Sequence, residues 1–198
     1  MTTLSVQILE HASSFAEGTP IFAKELLHLG NRAAVDQALA RLAKRGKLIR
    51  LNRGTYVRPK EGRFGVRAPS AAAVLEALSR RTGETITPNG AAAANKLGLT
   101  AQVPVRLVYL TNGKGRRLRL GAQEIELRHV PQWQVALPGR PAGEAIRALA
   151  WLGPEEAPHA LRRLKSQLSP AETKALASAR AILPSWLAED VSHLVTHA

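Results

Sequence analysis

The 198-residue sequence contains no cysteine, so disulfide frameworks, thiol nucleophiles and cysteine-based zinc sites are all excluded. No apolar run is long enough to span a membrane, and no membrane partner is expected. The N-terminus lacks the charged-then-apolar pattern of an export signal, so a cytoplasmic location is the expectation. The glycines around residues 112–121 lack both the Walker spacing and its Lys-Ser/Thr ending, and no nucleophile-elbow pattern occurs. Acidic residues are also few, at 15 Asp/Glu against 28 Lys/Arg.

What is present in excess is positive charge, a net +13, and it is unevenly placed. Residues 1–67 hold 12 Lys/Arg against 5 Asp/Glu, residues 68–140 hold 10 against 4, and residues 141–198 hold 6 against 6. A field concentrated in the first two thirds favours a polyanion, DNA or RNA. No strongly basic amphipathic helix is found that would favour an acidic membrane instead. The hydrophobic share of 45% is ordinary for a globular chain. This length suits one large domain or two small ones.

The charge surrounds a patterned stretch, residues 19–58. Thr19 with Pro20 reads as a cap and first position of a helix ending at Leu29-Gly30. Asn31 reads as the cap of a second helix, in which Val35, Ala38, Leu39 and Leu42 form one buried stripe at i, i+3, i+4, i+7. Gly46 closes it. The opposite face carries Ala33, Gln37, Ala40 and Lys44, flanked by Arg41. Two alanines allow close approach and suit thymine methyl groups, Gln37 suits an adenine edge, and Arg41 or Lys44 suits guanine or phosphate. A helix in the major groove reads bases with its N-terminal half, which adds Asn31, Arg32 and Asp36 to the candidates. Two β-prone runs follow, residues 48–51 and 55–58, joined by Asn52-Arg53-Gly54. Lys47, Arg50, Asn52, Arg53 and Arg58 in or beside this ribbon are candidate phosphate or minor-groove contacts. Helix, turn, helix and ribbon in this order predict a winged helix-turn-helix domain over residues 1–67, preceded within it by a helix from Leu4 to about Ala12 that Thr3 could cap.

Residues 59–69, punctuated by Gly and Pro and basic, read as a linker or strap whose arginines could touch phosphates. A second domain is expected over residues 70–198. It opens with a helix carrying Ala71, Val74, Leu75 and Leu78, then a short alanine-rich helix after Thr87-Pro88. A three-stranded antiparallel meander is expected over 103–130, beginning at Val103. There Leu118, Leu120, Ile125 and Leu127 alternate with charged residues, giving one buried and one wet face. Lys114, Arg116, Arg117 and Arg119 are dense in charge, but Glu124, Glu126 and Arg128 on the next strand are placed for cross-strand pairing. Lys114 and Arg116, in the turn, remain as secondary nucleic-acid candidates. Residues 142–198 read as helices, including a Ser169-Pro170-Ala171-Glu172 capping box. The fold class expected is α+β.

No catalytic constellation, cofactor site or metal site is assigned, so an enzyme is not expected. His193 and His197 have a metal-compatible i, i+4 spacing beside Glu189 and Asp190, yet sit on the last turns of the chain, where fraying is normal.

Several motifs carry a family likeness. They are Lys47-Leu48-Ile49-Arg50, Arg53-Gly54-Thr55-Tyr56-Val57, Thr87-Pro88-Asn89-Gly90-Ala91-Ala92, Leu97-Gly98-Leu99-Thr100, Val103-Pro104 and Tyr109-Leu110-Thr111. Over about residues 5–130 the chain resembles the AbiEi-type antitoxins and related transcriptional regulators of bacterial abortive-infection (type IV toxin–antitoxin) loci. The resemblance implies a winged-helix repressor of its own operon. It also implies a C-terminal domain that counters a nucleotidyltransferase toxin without a stable complex. The expected partner is double-stranded operator DNA, with an inverted repeat as one form. An RNA-binding or protein-interaction module without operator-specific DNA binding is the alternative.

Overall fold

Helix α1, Leu4–Ser13, starts the described part of the chain and buries Ile8 and Ala12. Thr3 occupies its N-cap without a side-chain hydrogen bond. The computed structural model describes residues 3–63 and 65–196, with the side chains of 194–196 left out. Helix α2, Arg32–Lys44, is fixed at both ends. The Asn31 side chain accepts from the Ala34 N–H at 2.9 Å, satisfying one of the otherwise orphaned amides of the first turn. At the other end Gly46 takes φ +69°, and Gly46 and Lys47 donate to the Ala43 and Leu42 carbonyls, both at 3.0 Å. That double closure needs the left-handed conformation glycine supplies. Val35, Ala38, Leu39 and Leu42 are all buried, as the helical period predicts.

The helix expected from Pro20 is not formed. Ile21–Phe22 is a short strand, β1, and only Ala23–Leu26 turns, as a 3-10 segment. The cause is tertiary pairing. With β2, Ile49–Asn52, and β3, Thr55–Val57, β1 makes a sheet ordered β1-β3-β2. Ile21 pairs with Tyr56 and Phe22 with Thr55, and the Ala23 N–H donates to the Gly54 carbonyl at 2.8 Å. Backbone groups that a helix would have satisfied internally are satisfied by β3 instead. A β-branched and an aromatic residue suit that role. In β2 the register slips between Arg50 and Asn52, which leaves Leu51 as a buried bulge residue.

The linker expected at 59–69 is a second hairpin. Strands β4, Lys60–Gly62, and β5, Gly65–Arg67, pair antiparallel, Lys60 with Arg67 and Glu61 with Val66. Gly65, at φ +101°, permits the tight return. Helix α3, Ala71–Thr82, follows with Ser70 as its cap. Its Arg81 sits 4.8 Å from the Phe15 ring centre and 5.3 Å from that of Phe22, and is ion-paired with Glu25 at 2.5 Å. These contacts group α3 with the N-terminal elements. One compact unit runs to Glu84 and includes Arg117–Glu126, and the other holds Thr85–Arg116 and the residues from Leu127 on.

After α3 come β6, Ile86–Pro88, and α4, Gly90–Lys96. Strands β7, Leu107–Thr111, β8, Arg116–Leu120, and β9, Gln123–His129, complete a sheet ordered β6-β7-β9-β8. A sequential meander was the expectation, but β9 rather than β8 lies next to β7. The four-residue connection 112–115 is long enough to let β8 step past, and its Gly113 carbonyl is held by the His129 ring at 2.8 Å. The strand expected from Val103 starts only at Leu107. Pro104 lacks the N–H a ladder needs, and Val103 and Val105 are 74% and 98% exposed. The alternation along β8 and β9 holds, with Leu118, Leu120, Ile125 and Leu127 buried and Arg117, Arg119, Glu124 and Arg128 exposed.

Helices α5, Pro141–Leu152, α6, Ala157–Lys165, α7, Pro170–Ser178, and α8, Ser185–Thr196, finish the chain. Ile146, Leu149, Leu161, Leu164, Leu176 and Leu187 share their core. Gly90 lets α4 touch α5, since any Cβ there would strike the Arg147 carbonyl and Trp151. The described residues thus form a mixed α+β fold of eight α-helices and three sheets. Among them no helix is long and apolar enough to cross a membrane.

Candidate nucleic-acid interface

The residues singled out from sequence on α2 stand where the helical period puts them. With one face of α2 in the core, Arg32, Ala33, Asp36, Gln37, Ala40, Arg41 and Lys44 are all exposed. Arg32 Nε donates to Asp36 Oδ2 at 2.8 Å across one turn. Both side chains are about half in solvent, so the pair contributes little stability and is readily exchanged for another anion. Gln37, Arg41 and Lys44 have no side-chain hydrogen bond or ion pair among the described residues. The first turn of α2 carries no acidic residue. Its positive dipole end and its uncapped amides therefore favour an anion near Asn31 and Arg32.

The ribbon residues divide between the two ends of the hairpin. Ile49 opposite Val57 puts Lys47 and Arg58 at the open end of the β2–β3 hairpin, while Asn52 and Arg53 occupy its tip. At the tip, Arg53 is exposed and without a hydrogen bond or ion pair among the described residues. Asn52 is half-buried, and its Oδ1 is shielded from solvent with no partner among the described residues. The tip itself is short and held down by the Ala23–Gly54 bond. Arg50 is exposed and bends back, its Nε donating to the Asn52 carbonyl at 3.3 Å. At the open end, Arg58 reaches the Ala12 carbonyl at 3.5 Å. Together with Lys47 it lines a groove of about 760 Å³.

That groove includes Arg45, which sequence reading passed over. Arg45 falls off the outward stripe of α2 because it is the C-cap residue. The available signal was local, the run Lys44-Arg45-Gly46-Lys47 with three cations around the helix-ending glycine. Lys114 and Arg116 belong to the other compact unit. Arg116 donates to the Lys114 carbonyl at 2.8 Å, and Arg117 meets Glu124 at 3.6 Å, as cross-strand pairing predicts.

His197 lies outside the described residues. Among the described residues, no group of three or more His, Asp or Glu is placed to hold a metal ion. Burial, the larger cause, pushes the Asp190 carboxyl up, and neighbouring His193 pulls it back.

A search of curated proteins found no match. Among solved structures, the chain is similar to the RV2827C protein from Mycobacterium tuberculosis at 16% identity and a TM-score of 0.48. The alignment covers 99% of this chain and 77% of that one. The model of the family of unknown function DUF6088 matches residues 7–174, and the chain belongs to that family.

Proposed function

We propose that this protein is a sequence-specific repressor that binds double-stranded operator DNA through a winged helix-turn-helix and acts as the antitoxin of an abortive-infection operon. One observation carries the DNA-binding part: an exposed α2 face of small, amide and unpaired cationic side chains, Ala33, Gln37, Ala40, Arg41 and Lys44, backed by a fully buried stripe. The order α1, β1, short turn, α2, β2, β3 with sheet order β1-β3-β2 supports the winged-helix reading. On it α2 is the recognition helix and β2–β3 the wing. Gln37 then addresses an adenine edge, Ala33 and Ala40 leave room for thymine methyls, and Arg41 and Lys44 take guanine or phosphate. Arg53 at the wing tip holds the flanking backbone. The antitoxin part rests on the sequence resemblance alone, which also supplies the nucleotidyltransferase toxin as functional partner.

The test is a salt series of binding to duplex DNA from the region upstream of the coding sequence and to random duplex. The parent should prefer the upstream duplex. Gln37→Ala should flatten that preference, and Arg41→Ala/Lys44→Ala should weaken binding to both duplexes. Equal binding of all three proteins to both would remove the reading. Preference for RNA over either duplex would point to an RNA-binding module instead.

A further inference from the structure

The described residues of the β4–β5 hairpin bury little. Among them Lys60 alone is as much as half-buried, and Val66 is 64% exposed, so these residues add little to a core. An isolated two-stranded hairpin is marginal in water. Its ladder even sets Lys60 opposite Arg67, a like-charge pairing that disfavours the hairpin in the absence of an anion. Glu17 relieves Lys60, at 2.7 Å. Arg63 and Arg67 are exposed and have no hydrogen bond or ion pair among the described residues.

Its location adds the second half of the argument. Glu61 and Val66 of the ribbon and Arg45, Gly46 and Lys47 at the end of α2 line the same 760 Å³ groove. The ribbon and the C-terminal end of the candidate recognition helix therefore border one opening. Its lining combines two carboxylates, Glu10 and Glu61, with the cations Arg45, Lys47 and Arg58. Two carboxylates disfavour a phosphate inside the groove, and the register sets Arg67 with Lys60 on the ribbon face away from Glu61 and Val66.

We propose that the β4–β5 ribbon is a second phosphate-holding arm for duplex DNA, in which Arg63 and Arg67 grip the backbone beyond the C-terminal end of α2. This rests on the DNA-binding reading above and extends its footprint to one side. The contacts are to phosphate, so they add affinity without base preference.

The experiment uses the full chain with Arg63→Ala/Arg67→Ala and, separately, Arg63→Lys/Arg67→Lys, on upstream and random duplexes. The alanine variant should bind both duplexes more weakly by the same factor, roughly ten- to thirty-fold near 0.15 M salt. Its slope of log K against log salt should be shallower by about two. The lysine variant should keep the parental slope. Nuclease protection should shorten on the α2 C-terminal side, with a thermal midpoint no lower than parental, because the ladder sets Arg67 against Lys60. An alanine variant with parental affinity and slope, while Arg41→Ala/Lys44→Ala loses both, overturns the arm and leaves the DNA reading standing. A loss confined to the upstream duplex overturns it too. A parent that binds no duplex removes both.

Discussion

At the scale of single residues, the most informative positions are those where polarity and exposure disagree with a purely structural role. Asn31 is the reverse case. Its bond to the Ala34 amide is a structural cap at the very end of the helix that is proposed to meet DNA. Replacing it by alanine should cost about 1 kcal/mol of stability, read from the urea midpoint. Gly46→Ala should cost a similar amount, because a Cβ is strained at φ +69° even with open space around it. The two variants should differ in DNA binding: Asn31→Ala removes a polar group at the dipole end facing the backbone, whereas Gly46→Ala does not. The residues of α2 were legible in the sequence because Val35, Ala38, Leu39 and Leu42 mark the buried side without ambiguity. Asn52 and Arg45 were not. Whether a loop polar atom is turned inward, or a cap residue outward, depends on neighbours that are distant in sequence.

At the scale of elements, local signals named most helices correctly and failed where a partner strand decided. Thr19-Pro20 is a sound helix start by composition, yet β3 captured Ile21 and Phe22. Residues 59–69 looked like a strap because glycines and prolines break periodicity, and three-residue strands leave no alternation to read. The order β6-β7-β9-β8 was likewise hidden, since turn chemistry tells which strands are connected and not which are adjacent. The capping box expected at α7 forms by half. Ser169 Oγ accepts from the Glu172 amide at 3.3 Å, as in a capping box. The Glu172 carboxylate instead reaches Arg140 Nη2 at 2.8 Å and the Ala142 N–H at 2.9 Å, capping α5 from another helix. The Arg140 hydrogen bond, followed by the Ala142 amide, holds the Glu172 carboxyl below the usual range. A depressed folded-state value contributes stability above the unfolded-state pKa, and that stability is lost as pH falls through the folded value. Urea midpoints of the parent and Glu172→Gln should therefore differ at neutral pH and converge on acidification. A gap that stays constant down to the acid end would show that the charge is not what ties α7 to α5.

At the scale of the whole molecule, a net charge of +13 has two readings. Either it is a diffuse field, to which every cation contributes alike, or it is a site. Pairing favours the site. Glu17, Glu25, Asp36 and Glu76 are each matched to a basic partner, as are Glu124, Glu144 and Glu172. Arg41, Lys44, Lys47 and Arg53 have no such match among the described residues. Cations already paired have less to gain from phosphate and release fewer counterions. Two substitutions separate the readings, because each removes one exposed positive charge. Arg41→Ala removes an unmatched one from α2. Arg117→Ala removes one that faces Glu124 at 3.6 Å on the wet side of the sheet. If the charge acts as a site, Arg41→Ala should make the salt slope shallower by about 0.9 and weaken binding, while Arg117→Ala should leave both close to parental. Equal losses in the two variants would mean that long-range charge alone draws DNA to this chain, and α2 would forfeit its place as the reading element.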